Sequence, residues 1–170
     1  MSSGTETAAL ATARLDLHRW TPDEAPAFHA IWGDPRVIWW GASASVEQSR
    51  TILERLRGRC AGDDALGWWA MRDRASGAIV GNVCTQPAPD PPGGVEIGWH
   101  LALAHQGRGY AREGAVALMH HAAAVGLRHL VATVIPFNYP SVAVARHLGM
   151  DAVAVVDRLA VAHVVFARDL

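Results

Sequence analysis

Apolar positions along the chain change period several times, and each change predicts an element. Leu15 and Leu17 alternate with Asp16 and His18, a short strand. Thr21-Pro22-Asp23-Glu24 then supplies an N-cap, a first-turn proline and a capping-box glutamate. Ala25, Phe28, Ile31 and Trp32 follow at helical spacing until Gly33-Asp34-Pro35 ends the run. After Val37-Ile38-Trp39-Trp40 and a Gly/Ala/Ser loop, Ser45-Val46-Glu47-Gln48 opens a second helix whose stripe is Val46, Ile52, Leu53 and Leu56. The apolar runs 66–71 and 78–84, parted by Asp73-Arg74-Ala75-Ser76-Gly77, read as a hairpin. A proline-rich loop over 87–94 precedes a strand over 95–103. A helix over 107–125 with Gly126 as its C-cap candidate comes next, then a strand over 129–135, a helix over 141–147, and a closing hairpin of 152–156 and 159–167 around Asp157-Arg158. The order β, α, α, β, β, β, α, β, α, β, β predicts one α/β domain with a mixed sheet.

Composition narrows the class. The chain has 170 residues, 51% of them hydrophobic and 18% charged, with a formal net charge of −1. All fifteen basic residues are arginine, and their scatter offers no stripe for a phosphate backbone, so no nucleic-acid partner is expected. No apolar run is long enough to span a bilayer, and the opening MSSGTETAALATA lacks a basic n-region. A short tail over 1–13, a domain over 14–170, no membrane association and a cytoplasmic location are the expectation. Cys60 and Cys84 fit two free thiols better than a disulfide. The nine histidines include no ligand spacing, so no metal is expected.

The stretch Leu101-Ala102-Leu103-Ala104-His105-Gln106-Gly107-Arg108-Gly109-Tyr110-Ala111 carries the most chemistry. A strand runs through a glycine turn into a helix, and unpaired amides at a helix start form an anion site. A Walker A loop needs a lysine that the chain lacks. A dinucleotide fingerprint needs a third glycine where Arg112 stands, early in a βαβ unit. Gln106-Gly107-Arg108-Gly109-Tyr110-Ala111 instead resembles the acyl-CoA pyrophosphate loop of the GNAT superfamily of N-acyltransferases. Its surroundings extend the resemblance. Glu96-Ile97-Gly98-Trp99-His100-Leu101 is similar to the family's preceding strand, and Asn138-Tyr139-Pro140-Ser141 with Leu148-Gly149-Met150 to its later signature. The segments 15–24 and 34–35 resemble the opening of the ribosomal-protein N-terminal acetyltransferase-like branch, so the likeness runs over about residues 14–168.

The resemblance implies an α/β GNAT fold: a mostly antiparallel sheet with a V-shaped splay between two central strands, flanked by helices. It implies acetyl-CoA as acyl donor, held by backbone at Leu101, Ala102 and Leu103, by the turn Gln106, Gly107, Arg108, Gly109, Tyr110 and Ala111, and by Asn138 and Ser141. Transfer to an amine needs a neutral nucleophile, donors for the oxyanion and a hydrogen bond or proton for the leaving thiolate. Glu96, the lone charge on its strand, is the first candidate base. His100 shares its face by an even offset and is the second. Many family members place a tyrosine acid where this chain has Ala145, which leaves Ser141, Tyr139 or water to serve the thiolate, or the thiolate to leave unassisted. Tryptophan pairs in a strand point to opposite faces, so one of each of Trp39-Trp40 and Trp68-Trp69 is available to line a pocket; Trp39, Trp40 and Trp99, with Glu96, are the candidate acceptor residues.

Three functions remain open at this point. The first is acetyl transfer from acetyl-CoA to a small-molecule primary amine by direct attack in a ternary complex. The second is acetylation of a protein or peptide N-terminus, and the third a catalytically silent acyl-CoA-binding module. The sequence fixes no oligomeric state and leaves a homodimer open.

Overall fold

The computed structural model describes residues 10–89 and 94–170. Eight strands form one open sheet: β1 (Leu10–Ala11), β2 (Leu15–Arg19), β3 (Gly67–Asp73), β4 (Ile79–Pro87), β5 (Val95–Leu101), β6 (His129–Val134), β7 (Asp151–Arg158) and β8 (Val161–Asp169). They lie in the order β1-β2-β3-β4-β5-β6-β8-β7. The helices are α1 (Ala25–Trp32), α2 (Val46–Arg59), α3 (Tyr110–Ala124) and α4 (Tyr139–His147). Both expected helix starts exist. Thr21 and Glu24 close a capping box on a 3-10 turn leading into α1, and the Ser45 side chain accepts from the Gln48 amide at the start of α2.

Alternation along the strands sorts the core into two layers. From β3, Trp69 and Met71 join Leu15, Leu17, Val83, Ile97 and Leu118 under α3 and α4. Trp68 and Ala70 face the other way, packing with Trp20, Phe28, Ile31 and Leu53 beneath α1 and α2. With both faces covered, β3 reads as an unbroken apolar run, as buried strands do. Cys60 and Cys84 are buried free thiols in the second layer.

Six of the seven strand junctions are antiparallel; the junction between β5 and β6 is parallel and consists of one pair, Glu96 with Val131. Beyond that pair the two strands part, which is the expected V-shaped splay. The β7–β8 hairpin reaches past the end of β6: the β6 pairing stops at Val134 and Val164, while β7 and β8 stay paired to Arg158 and Val161. Its tip therefore overhangs the opening.

The structure departs from the sequence expectation near both ends of the chain. Of the tail expected over 1–13, residues 1–9 lie outside the described ones, and Leu10–Ala11 pairs with Leu17 and Asp16 as an added edge strand. The proline-rich loop lies partly outside the described residues as well. The closing turn falls at Leu159-Ala160 rather than Asp157-Arg158, with both residues left-handed at φ +52° and +60°. That geometry matches a two-residue hairpin turn, which ordinary composition rules assign to Asn-Gly.

Candidate active site

A cleft of about 900 Å³ runs through the splay and reaches both faces of the sheet. Strand parity assigns its walls. Odd residues of β5 face α3 and α4; even residues, Glu96, Gly98 and His100, face α1 and α2, in register with Gln86, Cys84 and Asn82 of β4.

On the first side stands the glycine turn. Gly107 and Gly109 are left-handed at φ +74° and +80°, a backbone that a Cβ disfavours. A Cβ built on Gly107 meets nothing within 4 Å, so the backbone there is open to an approaching group. The first amides of α3 have no partner inside the helix, and Gly109 is its N-cap. Gln106 folds back, its Nε2 donating to the Leu101 carbonyl at 3.2 Å. The turn is tied down from behind: Arg14 donates from Nη1 to the Arg108 carbonyl at 2.9 Å and from Nε to Glu113 at 2.7 Å, while Thr12 donates to Glu113 at 2.5 Å. Open amides, two left-handed glycines and a rigid support suit a pyrophosphate.

Farther along this side, Asn138 caps α4 by accepting from the Ser141 amide at 3.3 Å, and Ser141 accepts from Trp99 Nε1 at 3.3 Å. That contact engages a lone pair of the hydroxyl and leaves its proton directed elsewhere. Ala145, at the position of the family tyrosine, is fully buried in the core. Tyr139 is 71% exposed and does not line the cleft, so Ser141 is the hydroxyl of this helix that does.

The second side holds the charges and rings. Glu96 is buried; Arg158 Nη1 donates to its Oε1 at 3.0 Å and Gln86 Nε2 to its Oε2 at 3.2 Å. Roughly half of its acceptor capacity stays free. His100 lies against Trp68, stacked at 9° with centroids 6.0 Å apart, and is flanked by Trp32 and Trp40 at 5.6 and 5.7 Å. Burial among these rings pushes its imidazole down to about 4, so it is neutral at physiological pH. Its Nδ1 faces Asn82 Nδ2 at 3.2 Å. Trp39 stacks near His163 of β8, centroids 6.2 Å apart, bridging the α1–α2 loop to the overhanging hairpin.

Twelve of the sequence candidates line this one cleft: Trp39, Trp40, Glu96, Trp99, His100, Leu101, Gln106, Gly107, Gly109, Ala111, Asn138 and Ser141. Four candidates, Ala102, Leu103, Arg108 and Tyr110, do not. The Ala102 amide is already bonded to the Val80 carbonyl at 3.1 Å, and the Tyr110 ring is buried with its hydroxyl donating to Asp73 at 3.1 Å. Trp99 turns toward Ser141 rather than toward Trp39 and Trp40. Those two share the cleft because they sit in a turn, where strand parity does not apply, whereas Trp68 lines it and Trp69 does not. Sequence reasoning missed Trp32, Asn82, Gln86, Arg158 and His163. Register with β5 was the one signal for Asn82 and Gln86, and for Arg158 there was none, since only the hairpin's overhang brings it to Glu96.

The mixed sheet is parted at a single parallel pair, with a glycine-capped helix beside the parting. The family model described as the acetyltransferase (GNAT) domain matches residues 14–151, and the chain belongs to that family. Among solved structures it is similar to a Bordetella pertussis protein described as a GNAT-family acetyltransferase, at 28% identity and TM-score 0.83, over 95% of this chain and 99% of that one. The fold is shared with Mycobacterium smegmatis RimJ in complex with CoA-disulfide (20% identity, TM-score 0.80, 96% and 88% covered). It is shared too with a Salmonella typhimurium acetyltransferase that modifies the N-terminal serine of ribosomal protein L7/L12 (19%, TM-score 0.80, 96% and 99%). Among the described residues no helix is long and apolar enough to cross a membrane, and no group of three or more His, Cys, Asp or Glu is placed to hold a metal.

Proposed function

We propose that the protein transfers an acetyl group from acetyl-CoA to the primary amine of a small molecule, by direct attack with both substrates in the cleft. The observation that carries this reading is the continuity of the cleft through the splay: the glycine turn and Ser141 line one side and Glu96 the other. Acetyl-CoA supplies an activated thioester. The turn Gln106–Ala111 holds its pyrophosphate through the α3 amides, and Ser141 directs its free proton to the departing sulfur. Glu96 takes the proton of the incoming ammonium through water, using the acceptor positions that Arg158 and Gln86 leave open. The buried thiols of Cys60 and Cys84 have no part in this scheme; burial raises both, Cys84 well above the usual value.

A small acceptor is supported by the bridge from Trp39 to His163, which spans the acceptor end and limits its width. Peptide N-termini are the second reading, favoured by the acceptor of the Salmonella relative. Thermal shift with acetyl-CoA, followed by thiol release over a panel of small amines and N-terminal peptides, tests both. Stabilisation with turnover on small amines is expected. Turnover on peptides alone would move the assignment to the second reading, and absence of stabilisation would overturn the role of the glycine turn.

A further inference from the structure

The hydrogen bonds around His100 form a chain whose direction is set at one end. Trp32 Nε1 has a proton and no lone pair, so it donates; its partner at 3.3 Å, Asn82 Oδ1, accepts. That fixes the orientation of the Asn82 amide, whose side chain is fully buried. Asn82 Nδ2 therefore points its hydrogens at His100 Nδ1, 3.2 Å away. An amide nitrogen only donates, so Nδ1 must accept, and the proton of the neutral imidazole lies on Nε2. Nε2 makes no hydrogen bond with the described residues, while His100 itself lines the cleft. Trp68 covers one ring face and Trp32 and Trp40 flank it, so the ring cannot turn over without breaking this packing.

We propose that Asn82 is a positioning residue that fixes His100 as an Nε2–H donor on the acceptor side of the cleft, where it binds an oxygen of the acceptor, a carbonyl or carboxylate beside the amine. This rests on the acetyl-transfer reading above and adds a requirement on the acceptor. The oxygen belongs to the acceptor rather than to the thioester because His100 shares the face of Glu96, opposite Trp99 and Ser141. The charges agree. Arg55 and Arg59, one turn apart on α2, line the same cleft without an ion pair to any described residue, whereas its carboxylate Glu96 is already paired with Arg158.

The test reads the tautomer first. Two-bond nitrogen–proton correlation NMR of the wild-type protein near pH 7, with the His100 signals identified by their loss in His100→Gln, is expected to show a ring protonated on Nε2. In Asn82→Asp the new carboxylate accepts from both neighbours, and the ring is expected to switch to Nδ1–H. A wild-type ring protonated on Nδ1, or averaged between tautomers, would overturn the proposal. This measurement needs no transfer activity, so it fails independently of the reading it rests on. The second arm compares two acceptors that differ only in a carboxylate or amide carbonyl next to the amine. His100→Phe is expected to lower kcat/KM about tenfold more for the oxygen-bearing partner than for the other, the worth of one hydrogen bond. Equal losses on both would overturn the oxygen contact.

Discussion

The neutral ring of His100 couples stability to pH. Burial holds this imidazole at about 4, against 6.5 for an exposed one. Between those values the unfolded chain carries a proton at His100 that the folded chain does not. Stability attributable to this group is thus full above about pH 6.5, falls as pH drops through the window, and is exhausted near 4. At about 1.4 kcal/mol per pH unit the gap amounts to roughly 3 kcal/mol. The neighbours that set it, Trp32, Trp40, Trp68 and Asn82, are uncharged, so salt should change it little. Asp34 and Asp73, held below their usual 3.8 by hydrogen bonds from Arg36 and Ser76, lose their contributions mainly below this range. Urea unfolding of the wild type and of His100→Gln, each at half-unit steps from pH 4 to 7.5, measures the effect as a difference, which cancels the carboxylates. Glutamine can still accept from Asn82, so the variant is expected to fold. The wild type should lose about 3 kcal/mol more than the variant between pH 6.5 and 4. Parallel curves would refute the buried neutral imidazole and with it the role of the tryptophan enclosure.

Three further outcomes follow from the geometry. Gly109→Val forces a β-branched residue into φ +80° and directs its Cβ at Arg14 Nη2, 3.4 Å away; the left-handed conformation alone costs about 1–2 kcal/mol. The turn should rearrange and calorimetric acetyl-CoA affinity fall at least about tenfold in a folded protein, while unchanged affinity would remove the turn from the binding site. Replacing Leu159-Ala160 by Asn-Gly relieves two left-handed residues and should raise the denaturation midpoint by the equivalent of about 1–2 kcal/mol; a lower midpoint would mean that the Leu159 side chain stabilises more than its backbone costs. Ser141→Ala should lower kcat roughly tenfold with acetyl-CoA affinity preserved, and undiminished turnover would mean that the sulfur leaves without help from this hydroxyl.

What was legible in the sequence was local in origin. The capping box at Thr21, the Ser45 N-cap, the glycine turn at 107–109 and the Asn138 cap act over a few residues, and each stands where periodicity and turn chemistry put it. The shared face of Glu96 and His100 followed from parity along one strand. What escaped depends on contacts between distant segments. Arg158 reaches Glu96 across 62 positions because the last hairpin outruns β6. Trp32 reads as one more core residue of α1, and its indole N–H acquires meaning only beside Asn82, 50 positions away. Tyr110 stands beside the turn, and its ring packs inward with its hydroxyl donating to Asp73, a partner 37 positions away that no local pattern announces.

The role of Glu96 is tested most directly by the pH dependence of turnover in Glu96→Gln, on the best amine of the panel, beside calorimetric acetyl-CoA binding. An alkylamine is mostly ammonium at neutral pH, and a positioned base contributes about 10²–10⁴ in rate. The variant is expected to lose on that order in kcat near neutrality, to recover as rising pH supplies free amine, and to bind acetyl-CoA as the wild type does. Full activity across the pH range would contradict the account, because the amine would then reach the thioester without passing its proton to Glu96.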